Sequence, residues 1–122
     1  MDLGLRTHPT VLFAYTPNHI DLVIRVENAE KEPAWVEADI SVPQKLSLAP
    51  TSTIRKGRIR IGILESEEFV EKAIRVYANT YTNPQMYRCK VTSFLYTKNG
   101  VIGKRIEKGL DVRCEIKKKE HL

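Results

Sequence analysis

The chain is poor in the residues that announce chemistry. It has two cysteines, Cys89 and Cys114, and they form no Cys-x-x-Cys pair. Its three histidines, His8, His19 and His121, are scattered along the sequence. That arrangement offers no zinc-binding spacing. No apolar run approaches the roughly 20 residues needed to cross a bilayer. Met1 to Pro9 carries Asp2, Arg6 and His8, so it lacks the apolar stretch of a signal peptide. These absences predict a cytoplasmic protein without a membrane partner, in which both thiols are reduced and buried. Burial raises a thiol pKa and makes it inert, and no histidine stands near either cysteine in sequence to act as a base. No catalytic residue, cofactor or metal is expected.

What is present is an ordinary globular composition, 42% hydrophobic and 29% charged over 122 residues. One domain with one core suits that length. The formal charge is +5 and unevenly spread. Residues 1–83 hold 10 basic and 11 acidic side chains, whereas residues 84–122 hold 10 basic and 4 acidic. The C-terminal third therefore carries the whole positive excess, which allows a polyanionic partner without requiring one, since net charge also serves solubility.

The dominant periodicity is two. Ile20, Leu22, Ile24 and Val26 alternate with Asp21, Val23, Arg25 and Glu27. Val36 to Val42, Ile59 to Ile63, Ala73 to Ala78, Arg88 to Leu95 and Leu110 to Lys117 repeat the pattern, and Val11 to Tyr15 makes a first strand. A half-buried strand alternates in this way because successive side chains point to opposite faces. Turn chemistry separates the runs, most sharply at Asn99-Gly100, which predicts a two-residue type I′ hairpin. Ser66 to Tyr77 is ambiguous. Ser66, Glu67 and Glu68 suit a helix start, but Phe69, Val70, Ile74, Val76 and Tyr77 are β formers, and strand is preferred. About seven strands with no sustained helix imply an all-β sandwich or barrel. Residues 1–9 are read as a flexible arm and 117–122 as a flexible tail, with Lys117 to Lys119 solvated.

The order of features from Asn28 to Val91 resembles the fibronectin-III-like sandwiches called CARDB or NEW3 domains. A strand ends at Val26-Glu27-Asn28. The next runs from Val36 to Val42 and closes on Pro43. A loop with Leu46, Leu48 and Pro50 follows, then Ile61 to Leu64, a polar turn at Glu65 to Glu68, Ala73 to Ala78, and Tyr87 with Val91. The whole chain also looks like small uncharacterised archaeal proteins of this shape. The resemblance implies an immunoglobulin-like β-sandwich of about seven antiparallel strands. It gives structural roles to three residues. Tyr87, two residues before Cys89 at a strand start, is placed as a tyrosine corner. Trp35 stands roughly where immunoglobulin domains bury a tryptophan. Cys89 is the strand cysteine, but the second strand supplies no partner for it. A hairpin closed at Asn99-Gly100 pairs residues whose numbers sum to 199, so Cys89 faces Leu110. Cys114 is then about 13 Å further along, beyond the ~7 Å reach of a disulfide.

Three constellations could carry function. Arg55, Lys56, Arg58 and Arg60 could grip phosphate, but strict alternation with isoleucine equally describes a solvated strand face whose isoleucines fill the core. Arg88, Lys90, Thr92, Phe94 and Tyr96, with Lys104 and Arg105 on the hairpin partner, mix cations with outward aromatics. Such a face suits single-stranded nucleic acid, a protein interface, or neither. Glu27, Glu30, Glu32, Glu37 and Asp39 form an acidic cluster whose carboxylates could hold a metal or do acid–base work, but Lys31 interrupts it and the alternation puts Glu37 and Asp39 on a solvent face. The favoured expectation is a non-catalytic interaction or assembly module that binds another protein or itself. A nucleic-acid-associated protein using the basic C-terminal third is the alternative.

Overall fold

The computed structural model describes residues 1–118. Its nine strands are β1 (Asp2–His8), β2 (Val11–Phe13), β3 (Asn18–Glu27), β4 (Ala34–Ser41), β5 (Leu46–Ser47), β6 (Lys56–Leu64), β7 (Phe69–Ala78), β8 (Gln85–Tyr96) and β9 (Ile102–Glu115). They form two sheets, a four-stranded β1-β3-β7-β5 and a five-stranded β2-β9-β8-β4-β6. The all-β sandwich expected from the alternation is the observed fold, with nine strands in place of seven.

The two sheets meet through their even-spaced apolar residues. Ile20, Leu22, Ile24 and Val26 of β3 pack with Val36, Ala38 and Ile40 of β4, and with Cys89 and Val91 of β8, in one buried cluster. Burying such aliphatic side chains stabilises by roughly 1.5–3 kcal/mol each, and this core holds the sheets together. The ambiguous segment is a strand: β7 pairs with β3 from Phe69 to Ala78. Pairing with β3 over ten residues overrides the helix-start signal, and Glu67 adopts a positive φ of 63° just before β7.

Four expectations are corrected. The N-terminal segment read as an arm is strand β1, paired with β3 from Asp2 to His8, with Leu3 buried in the core. Alternation is weak there because only Leu3 and Leu5 mark the inward face. The strands are not all antiparallel, because β2 runs parallel to β9. The chain thus enters the four-stranded sheet as β1 and crosses at Pro9 to the five-stranded sheet as β2. The β8–β9 turn is not type I′. Thr97 N–H donates to the Val101 carbonyl at 2.9 Å, and Gly100 alone in this turn has a positive φ, 73°. Trp35 is not in the core; its neighbours Ala34 and Val36 are buried, and parity turns the indole outward. Of the predicted tail, Lys117 and Lys118 are exposed and outside any strand, and residues 119–122, with His121, lie outside the described residues.

The predicted register survives the change of turn. Pairs from Gln85↔Cys114 to Leu95↔Lys104 keep the expected relation, and Cys89 faces Leu110. The loop is one residue longer than predicted, and a bulge at Gly103, between Tyr96↔Ile102 and Leu95↔Lys104, restores the count. Both cysteines are free and buried.

Candidate functional site: the outer face of the five-stranded sheet

Cross-strand register assembles this face row by row. The first row is Ile63–Trp35–Tyr96–Ile102, on β6, β4, β8 and β9 in that order. The second is Arg60–Glu37–Phe94–Arg105, and the third Arg58–Asp39–Thr92–Glu107. Beyond them lie Lys56–Ser41–Lys90 and the pair Arg88–Asp111. Two constellations that are separate in sequence, Arg58 with Arg60 and Arg88 with Phe94 and Tyr96, therefore share one face. Glu37 and Asp39 join them from the acidic cluster. Arg55 precedes β6, and its backbone carbonyl accepts from the Val42 N–H at 2.9 Å.

Lys104 does not belong to this face. It pairs with the inward Leu95, and its ammonium lies against the Glu30 carboxylate at one end of the sandwich. That hydrogen bond is the main cause holding the Glu30 carboxyl below its ordinary range. Adjacent residues of a strand point oppositely, so Lys104 and Arg105 could not share a face. Lys108, also inward by register, reaches the Leu3 carbonyl of β1 and closes the side between the sheets.

The middle rows are an ion-pair lattice. Arg58 forks onto Asp39, with Nε 2.6 Å from Oδ1 and Nη2 3.0 Å from Oδ2. Its Nη1 is 3.9 Å from Glu37, and Arg60 Nε is 3.8 Å from the same carboxylate. The fork lowers the Asp39 pKa and raises that of Arg58. Arg58 and Arg105 flank Phe94 at 5.5 and 6.0 Å from its ring centroid, within cation–π range. Arg88 contacts Asp111 at 3.1 Å. Basic side chains here are interleaved with acids. Lys56, Lys90 and Arg105 have no carboxylate within 4.0 Å among the described residues.

The first row is different. Trp35 is 40% exposed, Ile63 64% and Ile102 50%, with Tyr96 half-buried between them. Burial and the neighbouring Glu37 carboxylate raise the Tyr96 hydroxyl pKa. The outer face of the four-stranded sheet has no such row. There Arg25 lies 3.8 Å over the Phe69 ring and Tyr77 packs on His19 at 5.5 Å.

Sequence reasoning missed three of the row's four members. Ile63 was expected inward with Ile59 and Ile61. A bulge between the pairs Val36↔Gly62 and Glu37↔Arg60 shifts the parity, so Leu64 is buried and Ile63 is not. Gly62 carries φ 107° at this point, and a glycine inside an alternating strand is the available signal for such a bulge. Trp35 was given to the core by resemblance, against the alternation of Val36, Ala38 and Ile40. Ile102 abuts a turn and showed no pattern of its own.

Among the described residues no helix is long and apolar enough to cross a membrane. The thiol of Cys89 is pushed up to about 11, by burial first and then by Asp111. Burial, followed by Glu115, likewise raises Cys114. Both groups are protonated at neutral pH and face the core, so neither is an available nucleophile. No family model matches the chain, and no curated protein matches it in sequence.

Proposed function

We propose that this protein is a non-catalytic interaction or assembly module of cytoplasmic type, and that its working surface is the outer face of the five-stranded sheet. The observation that carries this reading is the exposed row Ile63, Trp35, Tyr96 and Ile102, aligned side by side across four strands. Scattered exposed apolar residues are normal, but a contiguous patch with a polar rim marks an interaction site. Tryptophan, tyrosine and arginine are the anchors that dominate protein interfaces. The ordered features from Asn28 to Val91 support kinship with the CARDB or NEW3 sandwiches.

The alternative, a nucleic-acid-associated protein, draws on Lys56, Lys90 and Arg105 beside Phe94. The ion pairs of Arg58, Arg60 and Arg88 weigh against it, because those cations already have anionic neighbours.

A photo-crosslinker placed at Ile63 in cells tests the reading. We expect protein adducts that disappear when Trp35→Ser is added, and weak nucleic-acid binding at physiological salt. Absence of any protein adduct, together with tight RNA or DNA binding that falls steeply with salt, would reverse it.

A further inference from the structure

The row Ile63–Trp35–Tyr96–Ile102 reads the same from either edge: aliphatic, aromatic, aromatic, aliphatic. The likeness continues beyond the row. Gly62 precedes Ile63 at a register shift in β6, and Gly103 follows Ile102 at a register shift in β9. Bulges increase local twist, so both edges of the face are reshaped at the same level.

A two-fold dimer needs this property, because residue i must meet j while j meets i. Consider an axis lying in the interface, along the strands, between β4 and β8. It lays β4 over β8 of a second copy and β6 over its β9. Trp35 then meets Tyr96 and Ile63 meets Ile102, each contact made twice. The same axis lays Arg58 over Glu107 in the third row, also twice. In the intervening row Arg60 meets Arg105, and Glu37, 3.8 Å from Arg60, offsets the like charge.

We propose that the outer face of the five-stranded sheet docks on the same face of a second copy of this chain, centred on this palindromic row. The proposal rests on the interaction reading above and names its partner. Four strands at ~4.8 Å and three rows at ~6.8 Å cover roughly 400 Å² of flat surface. That is about half of the ~800 Å² per partner of a standard interface. The dimer is therefore concentration-dependent, and the folded monomer exists without it.

Two measurements test it together. Sedimentation of the purified wild type should show a mass rising with concentration from 14.0 kDa toward twice that value. The Trp35→Ser/Tyr96→Ser variant should stay monomeric at tenfold higher concentration, with a melting curve showing that it is folded. In addition, Ile63→Cys and Ile102→Cys proteins are mixed and mildly oxidised, the native thiols being buried. The predicted axis joins 63 of one copy to 102 of the other, so the mixture should crosslink at least tenfold more than either protein alone. Equal crosslinking by Ile63→Cys alone would overturn this axis. A wild type that stays monomeric throughout would overturn the self-docking. If Ile63 photo-adducts to a different protein persist in that case, the interaction reading stands and the second copy falls; if none persist, both fall.

Discussion

The Tyr87 hydroxyl lies 2.8 Å from the backbone carbonyl oxygen of Asn83, four residues upstream, and the residue is only 3% exposed. The phenol thus pins the loop before β8 while its ring fills the core. Asn83 Oδ1 sits equally close and also accepts from Lys45 Nζ at 3.0 Å. Tyr87→Phe keeps the ring and removes the bond. We expect a loss of about 1 kcal/mol, read as a melting midpoint lower by several degrees. An unchanged midpoint would mean that the hydroxyl contributes nothing to the corner.

Asn28 ends the β3 neighbourhood with every polar atom of its side chain engaged. Its Nδ2 donates to the Glu32 carbonyl at 2.9 Å and the Leu64 carbonyl at 3.0 Å, and its Oδ1 accepts from the Glu30 N–H at 2.9 Å. It is wholly buried, so Asn28→Ala strands three backbone groups. A cost of about 2–4 kcal/mol follows, since each unsatisfied buried group costs roughly 1–3 and some regain water. Chemical denaturation should show a lower midpoint at unchanged slope; a loss below about 0.5 kcal/mol would refute this role.

The thiols should report unfolding and nothing else. With Cys89 raised to about 11 and Cys114 raised in the same direction, little thiolate exists at neutral pH. Labelling of either by a thiol probe should be about a hundredfold slower in the native state than in urea. Rapid native labelling would restore a chemical role to the cysteines.

The fork between Arg58 and Asp39 makes stability depend on acid. The Asp39 pKa is lowered by the hydrogen bond from Arg58. A depressed carboxyl stabilises the fold above its unfolded pKa, about 3.9, and that contribution is lost as pH falls through the lower folded value. Asp39→Asn should thus reduce stability modestly at pH 7 and flatten the acid limb below about pH 4. Both side chains are exposed, so 1 M salt should shrink the difference. An acid limb identical in wild type and variant would exclude the linkage.

How far sequence reaches is visible at particular positions. Alternation placed Arg88, Lys90, Phe94 and Tyr96 on one side of β8 and Cys89, Val91 and Leu95 on the other, because one strong period decides both faces together. The partner of Cys89 was also legible, although two local differences cancelled: a longer loop at Lys98 to Gly100 and a bulge at Gly103. The side taken by Ile63 was not legible, because one inserted residue inverts parity downstream and leaves composition unchanged. Trp35 teaches the converse. The alternation of its own strand pointed it outward, and the family analogy overrode a sound local signal. The merging of Arg58 and Arg60 with Phe94 needed the strand order, which no local pattern encodes.

Because β1 and β2 belong to different sheets, the two ends of the chain grip the molecule in a way that matters under tension. Force drawn through the N-terminal segment first loads β1 along β3 and then pulls β2 backward, while force through the C-terminal segment pulls β9 forward. The two strands are parallel, joined at Val11↔Arg113, Leu12↔Cys114 and Phe13↔Glu115. Their hydrogen bonds are loaded together in shear instead of opening one by one like a zipper. Stretched in a single-molecule trap, the domain should yield in one abrupt step, and Leu12→Pro, which removes a donor from this short seam, should lower the force at which it gives way.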